Sequence, residues 1–565
     1  MLWIDSICID QTSIPERNQQ VKHMGEIYTK AQRVVVWLGE KTAKSEIAFK
    51  YIEKLAGAAI ISNVRARDHA FHMLLARMKE EGKQCAGPNI PVLDCLMQDV
   101  FSRTWFTRLW TIQEVALARK TIVVCGNTEI SFEVLVYGSN VIAKLQAEPG
   151  SENTLTEHGV FSNSIALHNR LVQAIEHNRS PETKMFRISV ARPTENPAPL
   201  RRSTILELAR GKNATEKKDK VFALYGLFEA LNIIIIGEVD YRHSLADIYV
   251  YETIAAMQED RSLDMFYSLT NKSDALGLPS WIPDWSDTTS PRCTQYWAFA
   301  ASGTSIPSSR GPFDGLKLAI YARTLDTISR VADNPMPLPT PSSSSTNPPF
   351  HTIIPTIHSW AHFCNPDFTT KATFPDSPYV TNYFSPAAFC EILVRGNAPL
   401  PDPWGAIDLP PTRIIQPEKA RMDYLHDIAA CWGPIATSSS TALLYERLMD
   451  YPSSIVSDDV LTGIERAIAG TPKARIFHRM VEIVSGGLDM FGTERGFLGT
   501  GLEGVREGDV VVLIAGLRMP FLLRPVGGMK NEWRVLGPVY VYGAMGGGEW
   551  WDEDDMDKVV EFVLV

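Results

Sequence analysis

Cysteine is sparse in this chain, with eight in 565 residues. Cys8, Cys85, Cys95, Cys125, Cys293, Cys364, Cys390 and Cys431 are scattered, with no C-x-x-C pair. That excludes zinc-ribbon and thioredoxin-type spacing and fits a reducing compartment. Long apolar runs are lacking too. Residues 231–236 and 510–515 are far too short to span a bilayer. The opening MLWIDSICID has neither the basic start nor the apolar length of a secretory signal. A cytoplasmic protein without a membrane partner is therefore expected, and the N-x-S/T triplets at Asn178, Asn213 and Asn271 read as chance matches. Basic excess is absent as well: the formal net charge is -10, which argues against a nucleic-acid surface. What remains is ordinary for a globular protein, 45% hydrophobic and 21% charged, and the length allows more than one domain.

The first forty residues alternate between strand and helix signals. Residues 2–4 and 7–9 are short apolar segments ending at Asp5 and Asp10, as strands running into acidic loops do. Ser13, Pro15 and Glu16 form a helix entry, with Ser13 as cap and Glu16 three residues on. That helix carries Val21, Met24, Tyr28 and Ala31 on one face. RVVVWL at 33–38, stopped by Gly39, reads as a buried strand. The alternation indicates a parallel α/β unit.

The chain then divides by composition. An α/β unit over 1–130 precedes a mostly helical region over 131–330. That region includes KVFALYGLF at 220–228, a helix within 240–257 that turns Leu245, Ile248, Tyr249 and Ile254 inward, and a mixed-charge loop at 212–220 read as solvated surface. Trp281 and Trp285 in LPSWIPDWS are expected in a core. A Pro/Ser-rich linker or loop occupies 331–350. A mixed helical region follows over 351–495, with helical patterns from 417 to 490. A small antiparallel β region over 496–565 ends in an acidic tail, WWDEDDMD at 550–557.

Residues 103–125, RTWFTRLWTIQEVALARKTIVVC, read as one amphipathic helix entering a short strand. At 100° per residue, Trp105, Leu109, Ile112 and Ala116 form the core stripe. Arg103, Thr107, Trp110 and Glu114 lie opposite. Trp110 and Glu114, four apart, are neighbours on that side. Two readings fit. Another segment covers Trp110 while Glu114 pairs with an arginine, or the two line a pocket in which the carboxylate works. Asp5 and Asp10 fall on the same side of the argument, because ligands bind beyond the carboxyl ends of parallel strands; capping and turn formation explain both aspartates equally well.

Other motifs are weaker. Gly499-Thr500-Gly501-Leu502-Glu503-Gly504 matches G-x-G-x-x-G by letter. It precedes strands rather than a helix, and Glu503 would repel phosphate. His358, His362 and Cys364 have partial metal-ligand spacing without a fourth ligand, so no metal is expected. Cys8 reads as a small buried thiol.

Taken together, LWIDSICIDQTSIPERNQQVKHMGEIYTKAQRVVVWLGE and SRTWFTRLWTIQEVALARKTIVVCGN resemble the two signature blocks of the fungal HET (heterokaryon incompatibility) domain. ATEKKDKVFALYGL, LPSWIPDWS and the strands from 508 resemble later parts of the same family. Cys8-Ile9-Asp10 stands where the family usually reads C-I-N, and the family's opening strand, Y-x-x-L-S-Y-x-W-G, has no counterpart here. The resemblance implies a role in nonself recognition and regulated cell death, a protein partner of an incompatibility system, and self-association. It also implies a TIR-like parallel sheet lacking its first strand. Some TIR domains cleave NAD+ with the glutamate of a W-x-x-x-E segment, which Trp110 and Glu114 match in spacing. On that basis Glu114 is the candidate catalytic residue, with Trp110, Asp5, Asp10 and Arg103 as ligand contacts and NAD+ as substrate rather than cofactor. The alternative it leaves open is a non-enzymatic interaction module.

Overall fold

The computed structural model describes residues 2–146 apart from 60, 62 and 86–91, together with 168–175. It also describes 200–338 except 236, 271–275, 289–298, 304 and 314–315. The remainder comprises 353–364, 389, 392–395 and 481–565, the last without 483, 528–530, 547–550 and 552–557. Two compact units divide the chain near Asp260 and Arg261.

The first unit opens with a single helical turn, α1 (Asp5–Cys8), and the helix α2 (Ile14–Lys30). Ser13 caps α2 by accepting the Glu16 amide at 3.4 Å, with a proline in the first turn. Strand β1 (Val34–Trp37) follows, then α3 (Ala43–Ala58), α4 (Val64–Gly82) and α5 (Val92–Phe101). Two short helices, α6 (Thr104–Thr107) and α7 (Thr111–Ala116), lead to β2 (Thr121–Cys125) and β3 (Thr128–Ser131). The intervening helices give β1 the crossover it needs to pair parallel with β2, Val34 opposite Thr121 and Trp37 opposite Val124. β3 returns antiparallel through a two-residue turn. Gly126 sits there at φ +58, and a Cβ would approach Lys41 within 2.9 Å, so the turn requires glycine.

Helices α3, α4, α5 and α8 (Phe132–Gln146) pack together, burying Val36, Ile52, Leu55, Phe106, Val123 and Leu135 in one cluster. Among the described residues the unit also holds a helical segment at 168–175 and the helices α9 (Arg202–Arg210), α10 (Asp219–Phe222), α11 (Tyr225–Ala230) and α12 (Leu245–Asp260). α11 crosses α2 where two glycines meet. A Cβ on Gly25 would stand 3.0 Å from the Gly226 Cα.

The second unit is built on strands. β5 (Lys317–Val331) pairs with β12 (Val559–Leu564) and with β8 (Val510–Ile514). β8 continues to β9 (Phe521–Pro525), then to β10 (Glu532–Pro538), which returns to β12. Those five strands close a ring, which removes the open edges a sheet would otherwise expose. The β10–β12 pair is parallel and the others antiparallel. β6 (Leu488–Thr493), β7 (Leu498–Leu502) and β11 (Tyr540–Val541) extend from β5, and β4 (Ser309–Phe313) forms a hairpin with it. Trp281 and Trp285 are fully buried, as their place in the sequence suggested.

Several expectations are corrected here. Residues 2–4 and 7–9 form no strand; α1 occupies part of that stretch and leaves none of its residues buried. β1 is not buried on both faces. Val35 and Trp37 are 51% and 53% exposed while Val34 and Val36 face the core, so the strand has the alternation of a half-covered sheet. The β architecture of the second unit starts at β4 and β5, inside the region expected to be helical. The letters of G-x-G-x-x-G fall on β7 and its turn, where Gly499 lies against the Tyr540 carbonyl and a Cβ would come within 2.3 Å. Cys8 is exposed, not buried. The mixed-charge loop is solvated only in part: Asn213, Thr215 and Lys217 are exposed, but Lys212, Asp219 and Lys220 are under 9% exposed. Residues 339–352, the helical patterns of 417–480, most of the acidic tail and the side chains of His358 and His362 lie outside the described residues. No helix among the described residues is long and apolar enough to cross a membrane.

Candidate functional site

The site begins with a break in the chain. Arg103 to Ala116 does not form one helix, because Arg108 adopts extended backbone, φ -78 and ψ 141, between α6 and α7. A bridge to a distant segment holds the break. Leu109 donates its amide to the Asn213 carbonyl at 2.9 Å, and Asn213 donates to Thr107 at 2.6 Å. The Thr111 hydroxyl donates to the Arg108 carbonyl at 2.7 Å. A helix interrupted in mid-course leaves carbonyls without intrahelical donors. Lys212 supplies one, donating from Nζ to Phe106 O at 2.7 Å. Its burial lowers the ammonium pKa to about 8. Lys220 likewise donates to the carbonyls of Arg210 and Lys212.

The break changes which tryptophan serves which carboxylate. Trp105 donates its indole N–H to Glu114 at 3.1 Å. Trp110, four residues from Glu114, donates to Asp219 at 3.0 Å instead. The Tyr241 hydroxyl also donates to Asp219, and the Arg17 guanidinium lies 3.7 Å from the Tyr241 ring centroid. Trp110 is thus fixed in a separate polar network. Trp105 is held on its other side by His168, whose ring stacks at 5.4 Å and 27°. His168 also lies 3.4 Å from the Thr111 hydroxyl.

The Glu114 carboxyl is enclosed by protein, although the residue as a whole is half-buried. Loss of water raises its pKa; the Trp105 hydrogen bond and the charge of Arg108 oppose that rise, and Asp5 adds to it. Tyr28 lies in the same field, its hydroxyl pKa pushed up by burial and then by Glu114 and Asp5. Trp3 meets the Tyr28 ring edge-on at 5.7 Å. Asp5 stands 3.9 Å from Arg108 in a solvent-facing pair. Desolvated, singly hydrogen-bonded carboxylates of this kind are suited to stabilising a developing positive charge.

The other sequence candidates sit elsewhere or act differently. Arg103 donates to Leu38 O at 2.7 Å, Glu40 O at 2.9 Å and Asp99 O at 3.0 Å, so its guanidinium closes the end of β1. Asp10 accepts from the Thr12 amide and hydroxyl at 2.9 and 2.7 Å, an Asx turn that holds its carboxyl below the usual range. Of the named residues, the structure brings Asp5 and Glu114 into one field and leaves Trp110, Asp10 and Arg103 outside it. Arg108, Tyr28, Trp105 and His168 were missed. Gln113 is the remaining surprise. It is 2% exposed, and a Cβ on Gly226 would come 2.9 Å from its Oε1, so it marks the crossing of α2, α7 and α11. Among the described residues no cluster of histidine, cysteine and carboxylate side chains could hold a metal ion.

Comparison with known proteins matches two segments of the chain to family models. Residues 1–114 match the heterokaryon incompatibility protein (HET) family, and residues 474–564 match the Het-6 beta-barrel domain. The second segment covers four of the five ring strands described above, β8, β9, β10 and β12. A relative, heterokaryon incompatibility protein 6, OR allele, of Neurospora crassa, is 26% identical over 349 residues, 54% of this chain and 47% of its own. The chain thus spans about half the length of the curated relative it matches. No solved structure matches the chain.

Proposed function

The chain belongs to the fungal heterokaryon incompatibility (HET) domain proteins, and on that premise we propose that it acts in nonself recognition as an effector whose working group is Glu114. The first unit is read as a TIR-like module. The substrate is NAD+, and the outcome of turnover is regulated cell death in the cytoplasm. The observation that supports this reading is the Glu114 carboxylate itself. It is short of water and receives one indole N–H, in a residue that is only half-buried.

The chemistry follows from that setting. Breaking the bond between ribose C1′ and the nicotinamide nitrogen sends the electron pair to nicotinamide and leaves positive charge on the ribose. An ionised Glu114 stabilises that charge, more strongly for being desolvated. Water then adds its oxygen to C1′ and loses a proton to solvent, giving ADP-ribose. Since only the carboxylate form helps, and burial raises its pKa, activity rises with pH through the Glu114 transition. Purified full chain incubated with NAD+ is expected to release nicotinamide, and Glu114→Gln to lose that release by about a hundredfold or more. Equal turnover in both, or none in either, would overturn the catalytic reading.

A second reading, an interaction module that self-associates, has its own observation. Val35 and Trp37 are exposed side by side on β1, and edge strands with exposed apolar faces favour pairing with another chain. Light scattering of the wild type against Val35→Lys/Trp37→Lys tests it. A monomer at every concentration in both proteins would dismiss this version.

A further inference from the structure

Two arginines flank the segment that carries Glu114, and they are engaged very differently. The Arg103 side chain is 14% exposed and spends its guanidinium on three main-chain carbonyls. The Arg108 side chain is 48% exposed, and its one ion pair among the described residues, with Asp5, is at 3.9 Å. No described residue accepts a hydrogen bond from its guanidinium.

The root of Arg108 is nonetheless fixed. Its backbone lies between the Thr107–Asn213 and Leu109–Asn213 hydrogen bonds, and its carbonyl is held by Thr111. The partner it faces is weakly seated. Asp5 belongs to the single turn α1, which buries none of its residues. An exposed ion pair at the distance limit contributes little, whereas a guanidinium and a phosphate form paired, charge-assisted hydrogen bonds. Arg108 is also near enough to bear on the charge of Glu114 and of Tyr28.

We propose that Arg108 is the anion-recognising residue of the Glu114 site, taking a phosphate group of the ligand in exchange for Asp5. The inference rests on Glu114 marking a ligand site and adds the residue that takes the ligand's phosphate. A carboxylate suited to positive charge lies within electrostatic reach of a guanidinium suited to phosphate. The ligand that matches both carries a cationic ring and a phosphate, as a pyridinium nucleotide does. Among the described residues, Asp5 and Glu114 are the carboxylates shown to interact with Arg108, and Asp5 is the one that yields.

Binding separates this proposal from catalysis. ADP-ribose, which has the phosphates but no bond to nicotinamide, and adenosine, which has neither, are titrated calorimetrically against the full chain. The wild type and Glu114→Gln are expected to bind ADP-ribose. Arg108→Gln should weaken that binding at least tenfold, Arg108→Lys less, and adenosine binding should not distinguish the variants. Asp5→Asn should tighten ADP-ribose binding several-fold, a gain that misfolding cannot imitate. Inorganic pyrophosphate competing in the wild type but not in Arg108→Gln would locate the phosphate contact. The proposal is overturned if Arg108→Gln binds ADP-ribose like the wild type, if Asp5→Asn weakens it, or if neither the wild type nor Glu114→Gln binds it. Failure of NAD+ turnover with Arg108-dependent binding intact would end the catalytic reading alone. Turnover with an unchanged KM in Arg108→Gln would end this one alone.

Discussion

Double-mutant cycles test the assignment of tryptophans to carboxylates. The structure gives Glu114 the indole of Trp105 at 3.1 Å and gives Asp219 that of Trp110 at 3.0 Å. A hydrogen bond to a charged acceptor contributes about 1.5–3 kcal/mol. For Glu114, part of which reaches solvent, about 1–2 kcal/mol is the better figure; for the buried Asp219 the full range applies. Trp105→Phe with Glu114→Leu should therefore couple by about 1–2 kcal/mol, and Trp110→Phe with Asp219→Leu by about 1.5–3 kcal/mol. Trp110→Phe with Glu114→Leu should be additive within about 0.5 kcal/mol. Native-state hydrogen exchange of the α7 and β2 amides, followed by mass spectrometry, reads the stability of the first unit without assuming that both units unfold together. Because the Trp105 N–H favours the ionised carboxyl, its coupling should fade when Glu114 is protonated at low pH. Coupling of Trp110 with Glu114 above about 1 kcal/mol, with none for Trp105, would refute the broken-helix geometry.

Three further outcomes follow from the same network. The carboxyl of Glu114 has its pKa raised from 4.5 by burial, so its contribution to stability is complete below the unfolded value and is lost as pH rises through the folded one. Glu114→Gln, which keeps an acceptor for Trp105, should match the wild type at pH 4 and melt higher at pH 8; a constant difference across that range would contradict it. Lys212 has its pKa lowered from 10.5 to about 8, so the unfolded chain binds more protons between those values and stability should rise with pH across that window. Lys212→Met should flatten that rise in exchange-detected stability, and an unchanged slope would count against the buried ammonium. Gly25→Val, at the crossing with Gly226 where a Cβ already stands 3.0 Å from backbone, should cost about 1–3 kcal/mol by overpacking. Gly25→Ala should cost less, because about 1 kcal/mol of helix propensity offsets the contact; thermal melts that place both above the wild type would show that the helices are not in contact.

Much of the fold was legible because its signals are local. The entry to α2 is written in Ser13, Pro15 and Glu16, and the β-branched runs at 34–37 and 121–125 form the strands they suggest. The strands after 508 and the burial of Trp281 and Trp285 were equally plain. Closure of the ring was not, since it depends on β5, whose sequence KLAIYARTLDTISRV alternates too imperfectly to stand apart from helical text. The loop at 212–220 misled for another reason. Lysine and aspartate are solvated in most surroundings; burial is tolerable here because Lys212 reaches the Phe106 carbonyl at the break, Lys220 the carbonyls of Arg210 and Lys212, and Asp219 two aromatic donors.

The same break explains why helical spacing pointed to the wrong aromatic. Periodicity places Trp110 beside Glu114 only if the turns between residues 103 and 116 are continuous. One extended residue at Arg108 resets the phase, and the indole that reaches Glu114 then comes from nine positions away, a separation that no single helix brings into register. The bridge responsible runs to Asn213, in a part of the chain with no sequence relation to the motif. W-x-x-x-E spacing is therefore a statement about which residues occupy the segment, while the chemistry of Glu114 depends on Trp105, Arg108 and Asp5. A comparison of HET-domain chains that aligned only Trp110 and Glu114 would miss the residues that set the carboxylate's charge.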